Sequence, residues 1–163
     1  MDVVILVGSL SDLEVVKDAL EILKAFEIPY ALEITSAHRS PERTADLVRR
    51  YEAGGTGVFI AVAGKAAHLG GVVAAHTVRP VIGVPVESGG LGGLDALLST
   101  VQMPKGVPVA TMGTGKAGAA NAALLAVQIL SLGRPALRDK LLESKRKMAA
   151  QVEADAEKAR QMT

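Results

Sequence analysis

The chain of 163 residues contains no cysteine and no tryptophan. Without thiols it has no disulfide, no thiolate metal site and no thiol nucleophile. Its only aromatic residues are Phe26, Tyr30, Tyr51 and Phe59, too few for a platform that stacks single-stranded nucleic acid. Charge of one sign is missing as well. With 18 Lys+Arg against 17 Asp+Glu the formal net charge is +1, which gives no support to a nucleic-acid or membrane-surface partner. No stretch approaches the ~20 consecutive apolar residues of a transmembrane helix. The chain runs from Met1-Asp2 directly into the apolar Val3–Val7 with no basic leader. That start reads as a strand and not as a signal peptide, and a cytoplasmic protein is expected.

What the chain does have is apolar residues, 49% of the total, and 17 glycines. The length suits one domain able to bury roughly 70% of its unfolded surface. All the glycines except Gly8 and Gly133 fall between Gly54 and Gly118, where apolar runs such as Val58–Val62 and Pro80–Val84 interrupt them. A disordered linker would lack such runs, so the glycines mark turns at the ends of buried strands.

The patterning alternates. Val3–Val7 is a continuous apolar run, expected of a parallel strand buried on both faces. Leu13, Val16, Leu20, Leu23 and Phe26 then recur at helical spacing among charged residues. Strands are expected at 30–35, 57–63, 81–84 and 107–112. Helices are expected at 41–53, from 72 to about 77, at 94–101 and over the alanine-rich 117–132. Ser40 suits an N-cap, Pro41 a first helical position and Glu42 the positive end of the helix dipole. Such alternation predicts an α/β fold with a parallel sheet of about five strands covered on both faces. The segment from Arg138 to the C-terminus has interleaved acids and bases and no glycine. It reads as a long surface or arm-like helix.

In open parallel sheets ligands sit beyond the carboxyl ends of the strands. Five loops start there, at Gly8, Ser36, Gly64, Pro85 and Gly113. In the first, Gly8 permits close backbone approach and Ser9 and Ser11 offer hydroxyls. Asp12 could accept hydrogen bonds from ribose hydroxyls, while Ser11 or Asp12 could equally be a plain N-cap. In Ser36-Ala37-His38-Arg39-Ser40 a proton-transfer side chain stands beside an Arg fork suited to phosphate. The third loop, Gly64-Lys65-Ala66-Ala67-His68-Leu69-Gly70-Gly71, carries a second His framed by glycines, either structural or part of the same site. His76 reads as structural or solvated. Two histidines with no fitting carboxylates make a poor zinc site, so no metal is expected. The loop 85–95 is a lid or a phosphate cradle, but it lacks the Lys-Ser/Thr ending of a P-loop. A Rossmann glycine pattern is absent after the first strand, which argues against a dehydrogenase.

Taken in order, six motifs carry a resemblance: Val7-Gly8-Ser9-x-Ser11-Asp12, Ser36-Ala37-His38-Arg39-x-Pro41, Ala66-Ala67-His68-Leu69, Pro80–Val86, Val101-Gln102-Met103-Pro104 and Gly115–Leu124. Over about Val3 to Leu132 the chain resembles the class I 5-(carboxyamino)imidazole ribonucleotide mutases, the PurE family of purine biosynthesis. The resemblance implies a flavodoxin-like three-layer α/β/α domain, placed at 1–133; the remainder, 134–163, is expected from its composition to be a C-terminal helical extension packed on the domain or on a neighbouring subunit. It implies a homo-octamer with sites at subunit junctions and no cofactor: no metal, ATP or biotin. The implied reaction moves a carboxylate from the exocyclic nitrogen to ring carbon 4 of an aminoimidazole ribonucleotide. By motif, Gly8, Ser9, Ser11, Asp12 and Arg39 would hold the ribose phosphate. Ser36, Ala37, Gly64, Lys65, Ala66, Ala67 and Leu69 would surround the imidazole and carboxylate. His38 would transfer protons, with His68 orienting the carboxylate or carbon dioxide.

Two departures stand out. The family usually has Gly where this chain has Lys65 and Pro where it has Gly70, and the Glu87-Ser88-Gly89-Gly90 stretch is richer in glycine than usual. Two other readings stay open. One is a carboxylase using aminoimidazole ribonucleotide and free carbon dioxide, as class II relatives do, although they lack the His-containing third loop. The other is a non-catalytic flavodoxin-like module that binds a nucleotide.

Overall fold

The computed structural model describes residues 1–162, so Thr163, the last residue of the expected C-terminal extension, lies outside the described residues. The chain divides into two compact units, the first Met1–Val127 and the second beginning at Gln128.

The first unit is a five-stranded parallel sheet with helices in alternation. Its elements are β1 (Val3–Val7), α1 (Leu13–Ala25), β2 (Tyr30–Ile34), α2 (Pro41–Ala53), β3 (Val58–Gly64), α3 (Leu69–Ala75), β4 (Val81–Val86), α4 (Leu94–Val101) and β5 (Ala110–Thr111), followed by α5 (Gly115–Ser131), which runs on past the end of this unit. The strand order is β2-β1-β3-β4-β5, the flavodoxin-like order. All five residues of β1 are fully buried, as a central strand flanked by β2 and β3 must be. The edge strand β2 is only partly covered, and its Ile34 is exposed.

Alternation along β1 splits its side chains between two cores. Val4 and Leu6 join Phe59 and Ala61 of β3 with Leu47 and Val48 of α2 and Leu69 and Val73 of α3 in one cluster. Val3, Ile5 and Val7 point to the opposite face and are fully buried as well, so that face is covered too; α1 and α5 do not contribute to the first cluster. Those two helices bury Val16, Ala19 and Leu23, and Ala119, Ala122, Ala123 and Ala126. The buried residues of α5 are four alanines with Gly118 and Val127, small side chains that suit close packing, which explains its featureless composition.

The structure moves three sequence expectations. First, β5 has two residues in place of the expected 107–112. Pro108 has no N–H to give a strand ladder, and the Val107 N–H turns back to the Pro104 carbonyl at 3.2 Å. Second, Ser40 stands at the N-cap of α2 but its side chain makes no capping bond. Its hydroxyl accepts from the Ser36 N–H and donates to the Ser36 carbonyl, each at 3.2 Å, closing the Ser36–Ser40 loop upon itself. Third, α3 begins directly at Leu69, with His68 as its N-cap residue, so the third loop is shorter than its glycines suggest.

Gly83 shows why β4 needs a glycine in mid-strand. A Cβ there would lie 2.4 Å from Thr100 Cγ2 and 2.9 Å from Val109 Cγ1. The missing side chain allows α4 to pass close over the sheet.

The second unit contains the end of α5 and α6 (Pro135–Arg160), an α-helix of 26 residues with Pro in its first turn and Lys158 and Arg160 in its last. Among the described residues no helix is long and apolar enough to cross a membrane.

Candidate active site

The parallel sheet fixes where chemistry can occur. β1, β2 and β3 run side by side in one direction, so the loops after Val7, Ile34 and Gly64 emerge together at one edge. The order reverses between β1 and β3, where the crossovers part to opposite faces and leave a crevice. A cavity of about 550 Å³ lies there, within the usual range for a small-molecule site.

Residues of the three expected loops meet in it. Gly8, Ser9, Ser11 and Asp12 line it from β1; Ser36, Ala37, His38 and Arg39 from β2; Gly64, Lys65, Ala66 and Leu69 from β3. Two expected residues do not line this cavity. Ala67 is 2% exposed, its side chain turned into the core. His68 instead borders a second hollow of about 400 Å³ with Gly71, Val72, Leu98 and Met103, though its ring reaches the first cavity through His38. Ala63 and Ser88, which no sequence motif marks as site residues, also line it. Ser88 follows β4, whose register sets Gly64 opposite Val86. The Glu-Ser start of the 85–95 loop carried the only sequence signal for it.

At one end, a chain of small polar groups runs along the first loop. The Ser9 and Ser11 hydroxyls lie 2.7 Å apart, the Ser9 hydroxyl accepts from the Ser11 N–H at 3.2 Å, and the Ser11 hydroxyl donates to Asp12 Oδ1 at 3.3 Å. Asp12 is buried. Loss of water there raises its carboxyl above the ordinary value, against the smaller opposing pull of the Ser11 hydroxyl and the Ser9 backbone.

Arg39 ties the second loop to the first. Its Nη2 donates to the Gly8 carbonyl at 3.2 Å and its Nε to the Ser36 hydroxyl at 3.4 Å. The Arg39 backbone N–H also reaches that hydroxyl, at 3.2 Å. The guanidinium is thus oriented but exposed, and its Nη1 has no protein partner among the described residues. A fork held in this way can present its free donors to a phosphate.

The two histidines are brought together from positions 30 residues apart. His38 Nε2 and His68 Nδ1 are 2.8 Å apart, with the rings edge to face at 4.9 Å between centroids. One nitrogen carries the hydrogen and the other accepts, so the pair can pass a proton without a further group. His76, at the C-terminal end of α3, is exposed and takes no part. No group of three or more His, Cys, Asp or Glu that could hold a metal occurs among the described residues.

Comparison with known proteins gives the family. The AIR carboxylase family matches residues 2–151. A Pyrococcus abyssi protein named N5-carboxyaminoimidazole ribonucleotide mutase is 55% identical over 137 residues, covering 84% of this chain and 78% of that protein. An Escherichia coli (strain K12) protein of the same name is 49% identical over 139 residues, covering 85% and 82%. The crystal structure of Treponema denticola PurE superposes with a TM-score of 0.87 at 32% identity over 96% of both chains. A family match over residues 2–151, which runs through all five strands, and relatives about half identical over most of the chain place the protein, whose strand-end loops meet around two hydrogen-bonded histidines, in the AIR carboxylase family.

Proposed function

We propose that this enzyme is an N5-carboxyaminoimidazole ribonucleotide mutase of purine biosynthesis. The observation that carries the reading is the His38–His68 hydrogen bond of 2.8 Å beside a cavity that also holds Arg39. The exocyclic N–C bond of the substrate breaks, its electron pair returns to nitrogen, and carbon dioxide is released beside the ring. Carbon 4 then attacks the carbon dioxide. The balance requires one proton to leave carbon 4 and one to reach the exocyclic nitrogen. His38 can take the first and supply the second, with His68 holding the ring of His38 through their hydrogen bond.

The rest of the cavity binds and positions. Arg39, Ser9 and Ser11 hold the ribose phosphate, and Asp12 accepts from the ribose hydroxyls. Gly8, Ser36, Ala37, Gly64, Ala66 and Leu69 supply a small-residue wall against which the imidazole lies, so that carbon dioxide stays close to carbon 4. No cofactor enters this scheme. The reading takes the enzyme to be cytoplasmic and homo-oligomeric, an octamer by family resemblance. An exposed apolar row, Leu91, Leu94, Leu98 and Val101, supports the association of copies. Light scattering that returns a monomer at working concentration would remove that part.

The test of function is to supply substrates separately. Turnover of the N-carboxylated nucleotide without added bicarbonate is expected. Turnover only with aminoimidazole ribonucleotide plus bicarbonate would make the protein a carboxylase. Nucleotide binding without turnover of either would make it a binding module.

A further inference from the structure

Lys65 is the one cavity residue whose backbone works against it. It sits at φ +56°, in the left-handed region that a glycine adopts freely and an L side chain does not. It is one of the residues that line the cavity, and its side chain makes no ion pair or hydrogen bond among the described residues. Nor is it folded back on its own loop. Its Cε lies 3.8 Å from where a Cβ on Gly89 would stand, so the stem extends over the loop after β4. A strained, exposed cation without a protein partner, at the wall of a ligand cavity, is placed for a ligand's negative charge.

Its position separates it from Arg39. Arg39 follows β2 and is bonded to the loop after β1, whereas Lys65 follows β3 and reaches the loop after β4. With the order β2-β1-β3-β4, the loops that carry the two cations root on opposite sides of the crevice between β1 and β3. Adjacent strands are about 4.8 Å apart, so the roots of the two loops are separated by about 10 Å. Among the described residues Asp12 is the one carboxylate lining the cavity, and it belongs to the loop after β1, to which Arg39 is bonded. A ligand anionic at both ends fits this arrangement, with phosphate towards Arg39 and the second anion towards Lys65.

We propose that Lys65 is a specificity-determining residue, its ammonium holding the carboxylate of the substrate and product so that carboxylated nucleotides bind in preference to the uncarboxylated aminoimidazole ribonucleotide. This rests on the mutase reading of the same cavity.

Three variants separate charge from shape. Lys65→Met keeps most of the stem and removes the charge, Lys65→Arg keeps the charge, and Lys65→Gly removes both while relieving the left-handed backbone. The readouts are dissociation constants for the 4-carboxylated product and for aminoimidazole ribonucleotide, with KM and kcat for the N-carboxylated substrate. For Lys65→Met and Lys65→Gly, binding of the carboxylated product is expected to weaken about 5- to 10-fold, the scale of one exposed charge-assisted contact. Aminoimidazole ribonucleotide should change less than about 2-fold, KM should rise more than kcat falls, and Lys65→Arg should keep the preference. Equal weakening for both nucleotides would overturn the proposal by assigning Lys65 to the phosphate or to loop shape, and so would no weakening at all. A parent enzyme that binds and turns over normally while the variants match it overturns only the role of Lys65. A parent that binds neither nucleotide overturns the mutase reading and this inference with it.

Discussion

Gly64 is where the sheet and the site depend on the same missing side chain. It ends β3 opposite Val86 and lines the cavity. A Cβ there would lie 2.2 Å from Ser88 Oγ, 3.1 Å from Ser88 Cβ and 3.0 Å from the Val86 carbonyl oxygen. The hydroxyl can rotate away at small cost, but the Val86 carbonyl belongs to the neighbouring strand and cannot move without shifting it. Gly64→Ala is therefore expected to lose about 1–3 kcal/mol, the usual range for forced overpacking. At about 2–4 °C per kcal/mol for a chain of this size, the melting temperature should fall by a few degrees to about 10 °C. KM should rise as Ser88 and the wall it forms are displaced. Ser88→Ala alone should be nearly neutral, within about 0.5 kcal/mol, and combined with Gly64→Ala it should restore only part of the loss. The assay is thermal unfolding by circular dichroism at one fixed protein concentration, with steady-state kinetics alongside. Parental melting and KM for Gly64→Ala would refute this reasoning. Complete rescue by Ser88→Ala would refute the share given to the Val86 carbonyl.

Other perturbations address the proton pair and the anion end. His38→Asn should lower kcat by about 10²- to 10⁴-fold, the usual contribution of a positioned acid–base group, while nucleotide affinity by calorimetry stays near the parent value; parental turnover would remove His38 from its role. Arg39→Ala should weaken nucleotide binding by about 1–2 kcal/mol, the value of a charge-assisted fork discounted for its exposure, and unchanged affinity would exclude it as the phosphate anchor. Asp12→Asn tests the buried carboxyl. Because burial raises its value in the folded state above the ordinary 3.8, ionisation of Asp12 favours the unfolded chain. Its contribution to stability is fully present below the unfolded value and is lost as pH rises through the raised folded value. Asp12→Asn should thus be more stable than the parent near neutral pH, with the gain vanishing at strongly acidic pH, as read from urea unfolding at several pH values. A variant less stable at every pH would contradict this.

The elements legible in the sequence were those whose apolar spacing and end signals agreed. β1 is a run of five apolar residues between a polar start and Gly8, and α2 opens on Pro41 and closes at Gly54, so both were bounded correctly. The flavodoxin-like order followed from the βα alternation together with the family resemblance. Long-range geometry was harder to read. Nothing in the interval between His38 and His68 says that their rings touch; that depends on β2 and β3 both flanking β1. Ala67 looked like a wall residue because its neighbours are, but the turn into α3 points it inward. Ser88 was obscured by the glycines around it, since its place is set by the register of β4 against β3. The short β5 reflects a single Pro108, whose effect on an edge strand outweighed the apolar run around it.

The central claim is that one carboxylate moves from nitrogen to carbon 4 within this cavity, with His38 carrying the protons. The most direct measurement labels that carboxylate with carbon-13 in the N-carboxylated nucleotide and follows the reaction in excess unlabelled bicarbonate by NMR. Transfer within the cavity requires label at the carbon-4 carboxylate in the first turnovers, and requires that His38→Asn form it far more slowly. Product carrying only unlabelled carboxylate from its first appearance would contradict the claim, because the carbon dioxide would then have come from solution.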